Sequence, residues 1–256
     1  MSCKGFPDKE STTALEQQHM WQPQGCRGTV PRPRLTTYRP VCTLHTSCML
    51  EGSGMRAQHG SKTRLLDAAL RVIRTKGFEA ATVDEVCESA GLTKGSFFHH
   101  FESKEDLALA AARHFAEMAE SVFSKAPYRT LPDPLKRLLG YVEFRRAILK
   151  RELPEFTCLL GTMVQETYET HPSIRKACER HISGHAASLV ADIAEAKRRY
   201  APRAKWSPES LALFTQAAIQ GAFVLAKAKH GPEVADECLV HLRRYLELLF
   251  DQTGKE

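Results

Sequence analysis

From residue 61 to about residue 250 the apolar residues fall three and four positions apart, and no run of strict alternation interrupts them. That spacing confines the chain to an all-α fold. Leu66, Ala69, Leu70 and Ile73 make the apolar stripe of a first helix at 61–76, with Gly77 as its left-handed stop. Thr82 and Glu85, three residues apart, read as the capping box of a second helix. Val83, Val86, Cys87 and Ala90 share one face of it, and Gly91 ends it after two turns. Thr93 caps a short third helix that runs to about His100, and Ser103, with Asp106 at the third position, caps a fourth that runs to about Lys125. Prolines punctuate the remainder. Asp133-Pro134 opens helix five (134–152), Pro154 precedes helix six (155–169), and His171-Pro172 opens a long helix seven reaching about residue 200. Ser207-Pro208 opens helix eight, which ends before Gly231, and Pro232 opens helix nine, which ends near Phe250. About nine helices are expected.

Residues 1–60 have no such period. Pro7, Pro23, Pro31, Pro33 and Pro40 and six glycines break them up, and they cannot bury enough apolar surface to offset the entropy of ordering. The segment is expected to be disordered, and Met55, just ahead of the first periodic stretch, is a candidate alternative start. The eight cysteines form no CxxC pair, so neither a zinc site nor a disulfide framework is indicated. With no secretory signal and no run of ~18 uninterrupted apolar residues, a reducing cytoplasm and no membrane partner are expected. A formal charge of +6 mildly favours a polyanionic partner.

Two short helices joined by a glycine-containing turn, at 83–90 and 94–100, have the form of a helix-turn-helix. Phe97 and Phe101, four apart, are expected to face the core. Thr93, Lys94, Gly95, Ser96, His99 and His100 are left outside, at the start of a helix of the width that fits a major groove. On spacing alone, two ordinary short helices would read the same way. The whole run Thr82-Val83-Asp84-Glu85-Val86-Cys87-Glu88-Ser89-Ala90-Gly91-Leu92-Thr93-Lys94-Gly95-Ser96-Phe97-Phe98-His99-His100-Phe101-Glu102-Ser103-Lys104, with Gly77-Phe78 before it, resembles the DNA-binding module of the TetR family. The resemblance covers about 61–108. It implies an N-terminal three-helix DNA-binding domain at 61–108 and a C-terminal helical bundle at 109–251 that dimerises and holds a ligand. By the same resemblance, Lys94, Gly95 and Ser96 approach bases and phosphates, Phe98, His99 and His100 also touch double-stranded DNA, and Thr82 and Lys104 grip phosphates from either side. Members of the family commonly carry tyrosine at the place of Phe98. Phenylalanine forfeits that hydroxyl and leaves apolar contact with a thymine methyl or a sugar.

A single recognition helix spans a few base pairs, so two half-sites call for a two-fold dimer. Helix eight (Leu211, Phe214, Ala218, Gly221, Ala222, Leu225) and helix nine (Leu239, Leu242, Tyr245, Leu246, Leu249, Phe250) are the expected interface. The resemblance also implies a small-molecule inducer among helices five to eight, with Tyr141, Phe144, Phe156, Cys158, Met163, Glu166, Tyr168 and Phe214 as candidate lining. Cys158, at the start of helix six, is read either as a thiol activated by the helix dipole, as some relatives imply, or as a small buried hydrophobe. Two other readings stand beside this one: a helical adaptor that binds protein, and a metal-dependent enzyme using His181 and His185, four apart on one helix. Against the enzyme, there is no third specified ligand, HExxH motif, nucleophile elbow, phosphate loop or dinucleotide fingerprint. No catalytic residue, metal or cofactor is expected. The resemblance implies a repressor released from a palindromic operator by its inducer, repression being the family's common mode; the operator sequence, the identity of the inducer and a decision between repressor and activator do not follow from the sequence.

Overall fold

The structure, a computed structural model, describes residues 60–251, so the expected disorder of the N-terminal segment and the role of Met55 lie outside the described residues apart from Gly60. The described residues are helical, without strands. The helices are α1 (Ser61–Lys76), α2 (Val83–Ala90), α3 (Lys94–His100), α4 (Lys104–Ser124), a 3-10 turn (Pro127–Thr130), α5 (Pro134–Ile148), α6 (Leu153–Phe156), α7 (Leu159–Thr167), α8 (Pro172–Ala187), α9 (Val190–Tyr200), α10 (Pro208–Lys229) and α11 (Glu233–Asp251).

The capping logic holds at most starts. Thr82, Thr93, Ser103, Asp133 and Ser207 each accept a hydrogen bond from the third helical N–H, and the Thr82–Glu85 box is complete in both directions. Gly77 takes φ 92° and ψ 165°, and Gly91 takes φ 62° and ψ 41°, the left-handed helical turn. At the end of α10 the left-handed residue is His230, with φ 54°, rather than a glycine.

Two expected helices are each broken in two. Helix six stops after one turn because the carbonyls of Glu155 and Thr157 accept from the Arg74 guanidinium of α1 (3.1 and 3.3 Å) instead of continuing a helical ladder. Thr157 and Cys158 are extended, and α7 restarts with the Cys158 sulfur accepting from the Gly161 N–H at 3.4 Å. Helix seven breaks after Ala187, where the Ser188 hydroxyl donates to the His185 carbonyl at 2.7 Å and the backbone tightens to i→i+3 at Leu189. Neither break has a Gly or Pro signature at the break itself.

Buried side chains form two clusters. The first joins Leu65, Ile73, Phe78, Val86, Phe97, Phe101 and Leu107 of α1–α4 to Leu159, Leu160 and Met163 of α7 and Ile174 and Cys178 of α8. The second holds Leu138, Tyr141 and Val142 of α5 with residues of α9, α10 and α11 and Phe123 at the end of α4. The division expected at residue 108 therefore falls inside an uninterrupted α4, and the helix-turn-helix shares its core with α7 and α8. Among the described residues α10 alone is long and apolar enough, by length and composition, to cross a membrane. Its buried side packs on α8, α9 and α11, while Leu213, Phe214, Val224 and Leu225 stay exposed.

Gly140 of α5 sits against the 3-10 turn so closely that an added Cβ would lie 2.6 Å from the Tyr128 Cβ, an atom fixed to the backbone. Gly140→Ala is expected to cost about 1–3 kcal/mol through forced separation of the two elements. An unchanged urea midpoint at constant m-value would show that the seat is loose.

Candidate nucleic-acid interface and bundle cavity

At seven residues, α3 is too short to be stable on its own propensity, so tertiary contacts hold it. Phe97 is fully buried and Phe101 nearly so (0% and 2% exposed), their rings 5.6 Å apart. At its start the Thr93 hydroxyl accepts from the Ser96 N–H at 3.2 Å. The turn before it is held from α1, where Arg64 donates to the carbonyls of Ala90 (2.6 Å) and Gly91 (3.2 Å). The opposite face is left to solvent. Thr93, Lys94, Gly95, Phe98 and His99 are exposed, Ser96 and His100 half-buried, and Thr82 is exposed at the head of α2. Phe98 is 61% exposed, the highest among the exposed large apolar side chains. Lys94 pairs with Asp84 at 2.8 Å, which raises the lysine pKa, and the His100 ring nitrogen Nε2 meets the Ser61 hydroxyl at 2.6 Å.

Lys104 is placed differently from its neighbours. Its ammonium donates to three carbonyls, Phe78 at 2.9 Å and Glu79 and Ala81 at 3.1 Å, and lies 4.5 Å from the Phe78 ring centre. An ammonium has three hydrogens, so all are engaged in clamping the α1–α2 connection.

In the bundle, α4, α8 and α10 and the α6–α7 joint enclose a cavity of about 360 Å³, within the range of small-molecule sites. Of the residues expected to line it, Phe156 and Cys158 do. Tyr141 is fully buried behind the wall, and Phe144 packs on Phe123 and Tyr128 with ring centres 5.4 and 5.9 Å apart. Met163 belongs to the helix-turn-helix core. Glu166 lines a second space of about 260 Å³, shared with Cys158 and Lys227, and its carboxylate accepts the Glu79 N–H at 2.9 Å. Tyr168 is exposed, and Phe214 lies on the outer surface, 5.0 Å from the Tyr245 ring. Arg145, His185, Gln216 and Phe223 line the main cavity and were missed. The one signal available was Tyr141 and Arg145 at i,i+4 on the same helix face.

His185 is not free for a metal. Its Nε2 faces the Arg145 Nη2 at 2.8 Å and the Tyr141 hydroxyl at 3.1 Å, and among the described residues no three potential ligands gather.

Two family models match the chain: bacterial regulatory proteins of the tetR family at residues 65–111, and the tetracyclin repressor-like C-terminal domain at residues 134–242. The chain belongs to the TetR family. It is a helix-turn-helix DNA-binding transcriptional regulator. YerO of Bacillus subtilis, an uncharacterised HTH-type regulator, is 38% identical over 78 residues, 30% of this chain and 27% of YerO. DhaR of Mycobacterium sp., an HTH-type repressor, is 25% identical over 179 residues, 70% of this chain and 88% of DhaR. The crystal structure of a TetR regulatory protein from Rhodobacter sphaeroides shares the fold, with a TM-score of 0.65 at 23% identity, covering 72% of this chain and 98% of that one.

Within this TetR-family bundle, burial and the facing cations Arg145 and Arg129 push the His185 pKa from 6.5 down to about 3. A neutral ring is required, because Arg145 can only donate to it. Between pH 6.5 and 3 the unfolded chain binds a proton at His185 that the folded chain does not. Stability is therefore greatest above pH 6.5 and falls as the solution is acidified. From pH 6.5 to 5 the wild type is expected to lose about 2 kcal/mol more than His185→Gln. Parallel urea titrations at the two pH values check this, and equal losses would contradict it.

Proposed function

We propose that the chain is a homodimeric repressor that reads a palindromic operator through α3 and leaves it when a small molecule occupies the bundle cavity. The observation that carries the reading is the two-sidedness of α3: Phe97 and Phe101 anchor it while Lys94, Gly95, Phe98 and His99 face outward. Phosphate contacts supply affinity and its salt dependence, and groups at base edges supply choice. Exposed Phe98 suits a thymine methyl.

The dimer face is narrower than the sequence stripes suggest. Leu211, Ala222, Leu239, Leu242, Leu246 and Phe250 are buried inside the chain. What remains outward is Leu213, Phe214, Gly221, Val224 and Leu225 on α10, with Val240, Tyr245 and Leu248 on α11. These form helical rows on two packed helices, and exposed apolar rows of that extent mark association surfaces. Isologous packing of the pair onto its copy sets two recognition helices about one DNA turn apart.

Two links run from cavity to DNA-binding half. Arg74 of α1 holds the carbonyls flanking Phe156, its guanidinium 5.6 Å from the Phe115 ring of α4, and Glu166 of α7 holds the Glu79 N–H. Phe115 and Phe156 line the cavity. A molecule that moves either ring therefore loads the seat of α1.

Lys104→Ala should lower stability, since it frees three carbonyls, and should weaken operator binding only through the loosened α1–α2 connection, evenly across operator variants. Lys94→Ala and His99→Ala should change base preference. Gel-shift titrations of the three variants on operator sequences selected from random DNA test this. Unaltered affinity and preference in both Lys94→Ala and His99→Ala would remove α3 as the reader. Arg74→Ala should raise amide exchange at residues 153–158 and 74–80 and leave α11 unchanged. Exchange that rises nowhere near α6 would cut that link.

A further inference from the structure

Three partly buried arginines of the bundle are each met by two carboxylates. Arg137 is held by Asp192 (2.7 Å) and Glu195 (2.6 Å), Arg146 by Asp236 (2.8 Å) and Glu143 (3.1 Å), and Arg243 by Glu143 (2.8 Å) and Glu247 (3.0 Å). Arg145, beside Arg146 on α5, is half-buried in the cavity wall and pairs with no carboxylate among the described residues. Its Nε donates to the Tyr141 hydroxyl at 3.1 Å and its Nη2 to His185 at 2.8 Å, both uncharged acceptors. The guanidinium carbon lies 4.3 Å from the Phe123 ring centre, which fixes its plane. Gln216 steadies the same hydroxyl, donating at 2.7 Å. Two of five guanidinium hydrogens are thereby used, and Nη1 is left without a hydrogen-bond partner among the described residues.

We infer that the cavity takes a monocarboxylate with an apolar body, its carboxylate received by Arg145 and its body by Phe115, Phe156 and Phe223. The inference rests on the reading of the cavity as the inducer site and names the chemical class that fits it. A charged donor held in place by neutral acceptors gains most from an anion, because charge-assisted bonds are about twice as strong as neutral ones. One negative charge suffices. The cavity carries Arg113, Arg145 and Arg180 against Glu117 and Glu120, and the other four are exposed while Arg145 is recessed. His181 and His185 add no charge at neutral pH, since burial and neighbouring arginines hold both pKa values down. A dianion such as phosphate would require a second recessed cation, which is not present among the lining residues. Apart from Gln216 and Gln220, apolar and small residues provide the rest of the wall.

The test uses the full chain and two pairs of probes, 3-phenylpropanoate with 3-phenylpropanamide and octanoate with octanamide. Binding is measured by calorimetry, and operator release separately by fluorescence anisotropy. At least one acid is expected to bind tenfold or more tightly than its amide. Arg145→Gln should remove that preference by costing the acid tenfold or more and the amide much less, and Arg145→Lys should restore part of it. Should the variants fail to fold, the acid–amide comparison on the wild type decides alone. Equal affinity of acid and amide, or binding by neither acid, overturns the inference. An amide that releases the operator while its acid does not would leave the inducer-site reading standing without it. An acid that binds through Arg145 and leaves operator affinity unchanged would sustain the inference and sink that reading.

Discussion

Everything on the DNA-facing side depends on the seating of one short helix. Seven residues do not make a stable helix in water, because nucleation costs more than so few hydrogen bonds return. α3 persists because two phenylalanine side chains are removed from solvent on one side of it, each contributing roughly 1.5–3 kcal/mol by area. That burial requires a floor, which α1 and α2 supply, and α1 and α4 in turn pack on α7 and α8. Leu159, Leu160, Met163, Ile174 and Cys178 of α7 and α8 complete the same cluster. The reading head and the bundle are thus not two globules joined by a linker. They are one packed body in which the helices that seat α3 are joined through one buried cluster to α7 and α8, and α8 forms part of the cavity wall.

This continuity gives the cavity a mechanical route outward. The α6–α7 joint is a break within the bundle, and it has an identifiable cause: an α1 arginine occupies carbonyls that a longer helix would have used. Phe156 sits between those two carbonyls. A side chain at a helix break moves its backbone more readily than one inside a continuous ladder, so the joint is where occupancy of the cavity is most cheaply converted into displacement. A ligand still shifts the equilibrium only by its differential affinity for the two shapes, and a hundredfold loss of operator binding requires about 2.7 kcal/mol of it. Two fixed links, Arg74 and Glu166, on a shared core are compatible with a coupling of that size.

The helix-turn-helix was legible residue by residue because its determinants are local. Caps, left-handed glycines and an i,i+4 aromatic pair act within a turn or two, and Thr82, Gly91, Thr93, Phe97 and Phe101 all stand as their spacing indicates. The two helix breaks were not legible, since one is imposed by Arg74, more than eighty positions away, and the other by a serine hydroxyl that would read as ordinary helix surface. The cavity was the least legible of all. An apolar side chain at helical spacing looks the same whether it faces a neighbour, a cavity or solvent, and Met163, Phe156 and Tyr168 went to those three fates in turn. Lys104 was read as a phosphate grip by resemblance, and the structure gives its three hydrogens to carbonyls. Pairing of this kind is a long-range property, invisible to periodicity.

The contrast between Arg145 and Arg146 makes the same point in electrostatic terms. The two are adjacent in sequence and identical in chemistry, yet α5 turns one toward α11, where Asp236 and Glu143 meet it, and the other toward the cavity, where only a phenol and an imidazole do. Arg137, Arg146 and Arg243 meet carboxylates and Arg74 meets backbone carbonyls, whereas Arg145 meets a hydroxyl and an imidazole at the wall of a cavity, with Nη1 left over. Neutral acceptors orient a guanidinium without discharging it. His185 has to stay unprotonated to serve, and its depressed pKa follows from that arrangement. Holding a cation in position while leaving its charge without a counter-ion is costly in a partly buried site, and an anion entering the cavity recovers part of that cost.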